Sequence, residues 1–149
     1  MSFSVEFVRQ QYATDEALRI RQEIHEKYTV PQNNFVEWVL KNIAWRGDET
    51  VLDVGSGVGS YYKALQAIAP KSHYVGVDLS AGMLESHPAK GGVARADALQ
   101  LPFPNQTFDV VMANHMIYHL PDIDAGIEEF RRILKPNGVL LVATNGVEN

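Results

Sequence analysis

The 149-residue chain contains no cysteine. Disulfides, thiolate zinc sites and cysteine nucleophiles are therefore excluded, and the absence fits a reducing compartment. No apolar run approaches the ~18 residues that a membrane-spanning helix needs, and the first residues lack the charged-then-apolar pattern of a leader. Basic runs are missing as well. Thirteen Lys and Arg against 18 Asp and Glu give a net charge of −5, and the densest basic spot is Arg131-Arg132 with Lys135. These absences argue against nucleic acid or an anionic membrane as a partner, and the chain reads as cytoplasmic. There are no internal repeats, low-complexity segments or linkers. The length fits one domain, and 46% hydrophobic content is ordinary for a globular chain.

What is present is organised around Thr50 to Ser60, Thr-Val-Leu-Asp-Val-Gly-Ser-Gly-Val-Gly-Ser. Val51, Leu52 and Val54 form a short apolar, β-branched run, and Gly55, Gly57 and Gly59 follow at once. A buried strand entering a glycine-rich turn with a helix behind it presents backbone N–H groups to a ligand in α/β folds. Gly55 and Gly57 allow a sharp turn and a close approach, having no Cβ. Asp53, inside the run, is expected at the carboxyl end of the strand, facing a crevice. The spacing is Gly-x-Gly-x-Gly, not the Gly-x-Gly-x-x-Gly of dinucleotide sites, and no Gly-Lys-Ser/Thr follows to make a P-loop.

Upstream, Thr14 can cap a helix from Asp15 to about Tyr28. Pro31 can open a second, in which Phe35, Val36, Val39, Leu40 and Ile43 recur at helical spacing up to Trp45 before Gly47-Asp48. Residues 1–47 are thus expected to form a helical cap and residues 48–149 the core of a single domain. Downstream, Tyr61 to Ala69 reads as a helix stopped by Pro70, and His73 to Asp78 as a second strand. Ser80 caps a short helix through Ser86, ahead of Pro88. Val93 to Asp97 and Phe108 to Asn114 are the third and fourth strands. Ile123, Ile127, Phe130, Ile133 and Leu134 mark an amphipathic helix closed by Pro136-Asn137-Gly138, and Val139 to Thr144 is a fifth strand. Strands alternating with helices imply a parallel, doubly wound α/β sheet with right-handed crossovers.

In such a sheet ligands bind beyond the carboxyl ends of the strands, so Asp53, Asp78, Asp97 and Asn114 are the residues to watch. Asp78 can accept from both hydroxyls of a ribose; a helix cap or solvated strand end is its structural alternative. Leu79 and Met83 can sandwich a flat adenine ring or simply face the core. Asp97 can accept from an exocyclic amine while the next backbone N–H donates to a ring nitrogen. His115 and His119 are the available general bases; their i, i+4 spacing would also suit a metal, but no third ligand is evident, and packing at a pocket rim is open for both. Tyr12 and Tyr28 are either core residues or reach the site from the N-terminal helices. No catalytic base is named.

Four pieces occur in order: the Asp53-to-Gly59 turn, the strand ending in Asp78, Asp97-Ala98-Leu99-Gln100-Leu101-Pro102-Phe103 followed by Phe108-Asp109-Val110-Val111, and Arg132-Ile133-Leu134-Lys135-Pro136-Asn137-Gly138-Val139-Leu140. Together they resemble the class I S-adenosylmethionine-dependent methyltransferases, particularly the branch that looks like the ubiquinone/menaquinone C-methyltransferases, the methyltransferase type 11 domain. The resemblance runs from about Phe35 to Thr144. It implies a Rossmann-like, mostly parallel sheet of order 3-2-1-4-5 with two N-terminal helices, and S-adenosylmethionine as cofactor. It further implies that Asp53 orients the cofactor's ammonium group, directly or through water, while Gly55, Ser56 and Gly57 approach its methionine part. Asp78 would hold the ribose, with Leu79 and Met83 against the adenine. Asp97, Ala98 and Leu99 would hold the adenine edge, and Asn114 and His115 would close the site. The implied reaction is an in-line displacement of the methyl group from a sulfonium, onto a small-molecule acceptor by default.

The family fold adds two further strands in an antiparallel hairpin beside the fifth, and this sequence stops five residues past the fifth. The chain is expected to be either a fragment or a short form whose fifth strand needs covering, with self-association through that edge as one way to cover it. Two other classes stay open. One is a domain that binds S-adenosylmethionine without catalysing, as a fragment or partner subunit. The other is a nicotinamide-dependent oxidoreductase, against which the glycine spacing and Asp97-Ala98 speak.

Overall fold

The computed structural model describes residues 32–144; the helix expected from Asp15 to Tyr28, and with it Tyr12 and Tyr28, lies outside the described residues. Helix α1 (Gln32–Leu40) places Val39 and Leu40 in a buried cluster with Phe35, Val36 and Ile43 packed against it. It stops short of the Trp45 expected from periodicity. Trp45 Nε1 folds back to donate to the Leu40 carbonyl at 2.8 Å, and Asn42 Nδ2 donates to the Trp38 carbonyl at 2.8 Å. Side chains thus satisfy carbonyls that the last turn leaves open, and the apolar spacing continues past the helix as a folded-back coil.

Next come β1 (Thr50–Val54), α2 (Ser60–Ile68), β2 (His73–Asp78), α3 (Ala81–Glu85), β3 (Val93–Arg95), β4 (Phe108–Met112), a single 3-10 turn (Ile117–His119), α4 (Ile123–Ile133) and β5 (Leu134–Leu141). The five strands pair in the order β3-β2-β1-β4-β5, all parallel, as the resemblance implies. Successive side chains of a strand point to opposite faces, and β1 uses both. Leu52 and Val54 join a cluster with Val77, Val111, Phe108, Phe130 and Ile133, while Val51 joins Val110, Met112, Leu65 and Leu40 on the other face. A strand buried on both sides explains why β1 reads as a continuous apolar run rather than an alternating one.

Three element ends differ from the sequence pattern. β3 ends at Arg95, so Asp97 lies in the loop beyond it. β4 ends at Met112, although the Ala113 and His115 N–H groups still donate to the carbonyls of Leu141 and Ala143 at 2.9 and 2.7 Å. β5 begins at Leu134, before the expected turn: Phe108 pairs with Leu134 but Val110 pairs with Val139. Pro136-Asn137-Gly138 is therefore a bulge inside the strand, with Asn137 at φ +64°, where the turn-forming residues release extra chain without ending the pairing. The cap expected at Ser80 forms, the one expected at Thr14 lies outside the described residues, and Asp122 is a further cap not expected from the sequence. The Ser80 side chain accepts from the Met83 N–H and the Asp122 side chain accepts from the Ala125 N–H.

Phe130 is fully buried between α4 and the sheet. Phe130→Ala is expected to cost about 3–5 kcal/mol of stability through lost burial and a residual cavity, measured by urea denaturation with an unchanged m-value.

Candidate functional site

The glycine turn is built by backbone conformation first. Gly55, Gly57 and Gly59 have φ of +70°, +57° and +87°, a region that residues with a Cβ enter only at a cost. The turn folds down onto the end of β2. The Val77 carbonyl accepts from both the Gly55 and Ser56 N–H groups at 2.8 and 3.0 Å, and the Gly59 N–H donates to the Ser56 carbonyl at 3.0 Å. The Gly57 N–H donates to Asp78 Oδ2 at 3.0 Å. The expectation that this turn offers its N–H groups to a ligand is thus corrected: these four are spent inside the chain, two of them because the β1–β2 register carries the loop over the Val77 carbonyl, last but one in β2. The close approach at Gly55 is also internal, since a Cβ there would lie 2.9 Å from Met116 Cβ.

Two carboxylates stand side by side at the carboxyl ends of β1 and β2. Asp78 Oδ1 accepts from the Ser80 N–H at 2.9 Å, opposite the Gly57 contact to Oδ2. A carboxylate offers about four acceptor positions, and with the Leu79 N–H also interacting they are not all taken. Burial pushes Asp78 upward from its usual range, against the lowering effect of these backbone donors. Asp53 is only 2% exposed. Its Oδ2 accepts from the Tyr74 hydroxyl at 2.7 Å, and among the described residues no donor meets Oδ1. Burial pushes Asp53 up to about 7; the Tyr74 hydrogen bond works against that shift and the nearby Asp78 charge adds to it.

The Tyr74 hydroxyl also lies 3.1 Å from His87 Nε2, and His87 Nδ1 accepts from the Ala89 N–H at 3.0 Å. Neither Tyr74 nor His87 stands out in the sequence. The one available signal was period 2 along β2, which puts Tyr74 on the face of Gly76 and Asp78. Tyr61 and Met116 were missed in the same way. The Tyr61 hydroxyl is 2.9 Å from His115 Nε2.

The remaining expected residues divide. Ser56 is buried beneath the turn, and Leu79 is half-buried at the end of β2. Met83 is 1% exposed, so of its two open roles the packed one is what the fold displays. Asp97 Oδ1 accepts from the Leu99 N–H at 2.9 Å, closing a local turn. Ala98 is part of the core and Leu99 packs against it, which leaves backbone groups and Asp97 Oδ2 to meet a ligand there. Asn114 is buried, and neither its amide nitrogen nor its oxygen has a hydrogen-bond partner among the described residues. His115, at φ +57°, stacks its ring near Phe35 and Tyr61. His119 lies against the Tyr118 ring. Among the described residues no group of three or more His, Asp or Glu is gathered as a metal site, and no helix is long and apolar enough to cross a membrane.

A model of the methyltransferase domain matches residues 52–142. The chain belongs to that family. It is 36% identical over 102 residues to a malonyl-(acyl-carrier protein) O-methyltransferase of Legionella pneumophila, covering 64% of this chain and 36% of that protein. It is 30% identical over 139 residues to a demethylmenaquinone methyltransferase of Staphylococcus aureus, covering 83% of this chain and 57% of the relative. The crystal structure of the YcgJ protein of Bacillus subtilis superposes with a TM-score of 0.64 at 28% identity, over 72% of this chain and 48% of that one. The chain therefore spans between about a third and three fifths of the length of these proteins.

Membership implies S-adenosylmethionine as cofactor, and the residues present fit it. Among the described residues, the Asp53 carboxylate oxygen that meets no donor suits an ammonium group, the acceptor positions left at Asp78 suit ribose hydroxyls, and the Asn114 amide is a buried polar group lacking a partner.

Asp53 binds its proton more tightly in the folded chain (about 7) than at its ordinary value of 3.8. Its contribution to stability is full below the ordinary value and is lost as pH rises through about 7. Asp53→Asn, which carries no proton to lose, is expected to gain about 2–3 kcal/mol relative to the parent chain between pH 5 and pH 7. Urea denaturation across that range measures the difference.

Proposed function

We propose that this chain is the cofactor-binding core of a cytoplasmic methyltransferase that transfers a methyl group from S-adenosylmethionine to a small-molecule acceptor. The observation that carries the proposal is the pair of carboxylates, buried Asp53 and half-buried Asp78, at the ends of adjacent strands and joined through the glycine turn by the Gly57–Asp78 hydrogen bond. Support for the acceptor class comes from the name of the demethylmenaquinone methyltransferase.

In this proposal Asp53 holds the ammonium group and Asp78 the ribose, with Leu79 beside the adenine and Gly55, Ser56 and Gly57 lining the methionine end. Met83 supports Leu79 from inside. Asp97, with the backbone at Ala98 and Leu99, meets the adenine edge, and Asn114 and His115 close the site from the end of β4. The cofactor supplies a methyl group on a sulfonium, already activated, with a neutral leaving group. The protein's share of the chemistry is then chiefly to hold donor and acceptor in line and to exclude water. His115, tied to the Tyr61 hydroxyl, is placed to orient groups at the rim.

Asp78→Ala removes two charge-assisted hydrogen bonds worth about 1.5–3 kcal/mol each. Calorimetric titration with S-adenosylhomocysteine is expected to show affinity lower by about a hundredfold or more; equal binding by parent and variant would reject this placement of the cofactor.

Self-association through the outer edge of β5 belongs to the same proposal. Among the described residues β5 ends the sheet order, and Val139 and Val142 are 41% and 40% exposed, an apolar edge of the kind that pairs with another chain. Equilibrium sedimentation is expected to show a dimer that Val139→Lys shifts to monomer. A parent chain that stays monomeric at high concentration would remove this part.

A further inference from the structure

The hydrogen bonds around Asp53 have a single direction. The Ala89 N–H donates to His87 Nδ1 at 3.0 Å, so that nitrogen carries no proton and the neutral ring has its hydrogen on Nε2. Nε2–H then donates to the Tyr74 oxygen at 3.1 Å, and the Tyr74 O–H is left to donate to Asp53 Oδ2 at 2.7 Å. We propose that Tyr74 and His87 are positioning residues for Asp53, a relay that aims the Tyr74 proton at one carboxylate oxygen and leaves the other for a cationic ligand group. The proposal rests on the assignment of Asp53 to the cofactor's ammonium group.

The surrounding chain is shaped to admit this relay. A Cβ at Gly76 would lie 3.0 Å from the Tyr74 hydroxyl and 2.9 Å from Ser56 Oγ. A Cβ at Gly59 would lie 2.9 Å from His87 Cε1, 3.0 Å from Nε2 and 2.7 Å from Pro88 Cδ. One glycine on β2 and the third glycine of the turn thus make room for the two relay side chains. The Tyr62 ring brackets both, with centroids 4.8 Å from Tyr74 and 5.7 Å from His87.

His87 is fully buried. A second ring proton would face the Ala89 N–H, and burial together with the Lys63 charge holds His87 below its usual range, so the ring stays in the donating tautomer. The titratable groups that face Asp53 are Tyr74 and Asp78 from β2 and Tyr61 from α2. From β4 its register partner is Met112, which carries no charge. Lys63 and Tyr62 of α2 are the groups beside His87 and Tyr74.

A relay that only fills space and one that acts on the carboxylate differ in the titration of Asp53. Carboxyl-carbon NMR of the ligand-free chain is expected to show Asp53 titrating about one pH unit higher in Tyr74→Phe than in the parent. His87→Leu should lie between the two, and His87→Gln, whose side-chain N–H can replace Nε2–H, should return towards the parent. One unit corresponds to about tenfold weaker binding of S-adenosylhomocysteine below pH 6 and about fivefold at pH 7, a gap that closes as pH rises and Asp53 ionises in both chains. Identical Asp53 titrations in the parent and Tyr74→Phe, or a binding deficit that is the same at every pH, would overturn the relay. A parent chain that fails to bind S-adenosylhomocysteine while Tyr74→Phe still shifts Asp53 would reject the cofactor assignment alone and support the relay.

Discussion

One backbone oxygen carries an unusual share of this structure. The Val77 carbonyl, last but one in β2, accepts from two successive N–H groups of the glycine turn, and it can do so only because Val54 and Val77 are register partners in the parallel β1–β2 pair. That pairing fixes where β1 ends, where the turn folds back, and which residues of β2 lie under it. A slip of one residue would exchange the two faces of β1. It would turn Asp53 into the face that holds Leu52 and Val54, and it would separate Asp78 from Gly57.

The site is therefore a by-product of sheet register set against the cost of burying charge. Asp53 lies in a strand whose neighbours are apolar on both faces. A carboxylate there keeps its charge only with help from donors or a cation. Among the described residues one donor, the Tyr74 hydroxyl, meets it. Asp78, nearer the surface, has the backbone donors of Gly57, Ser80 and Leu79 instead. Two acids one strand apart are thereby held in different states of satisfaction, and the less satisfied one is the better partner for a positively charged group.

The architecture was legible in the sequence wherever local chemistry and global packing agree. The apolar run before the glycines, the cap at Ser80, and the alternation of strands with helices all reappear in the fold. The element ends were less legible because side chains distant from the pattern decide them. Trp45 terminates α1 by reaching back to Leu40, and the bulge at Pro136-Asn137-Gly138 continues β5 where turn-forming residues suggested a stop. Periodicity records which face is buried. It does not record which carbonyl a tryptophan will reach.

The residue types in the site were readable from sequence alone: acids and glycines at strand ends have few uses other than turns and ligands. Sequence was enough to name the family and the carboxylates Asp53 and Asp78, because apolar runs, glycine spacing and chain order are properties of the linear pattern. Only the tertiary structure decided how those groups are employed. It turned the glycine amides inward, placed Met83 in the interior, left the Asn114 amide without a partner among the described residues, and brought Tyr74 and His87 to Asp53 from 21 and 34 positions away in the chain. Hydrogen-bond direction depends on which donors and acceptors meet across strands and loops, and that meeting exists only once the sheet register is set.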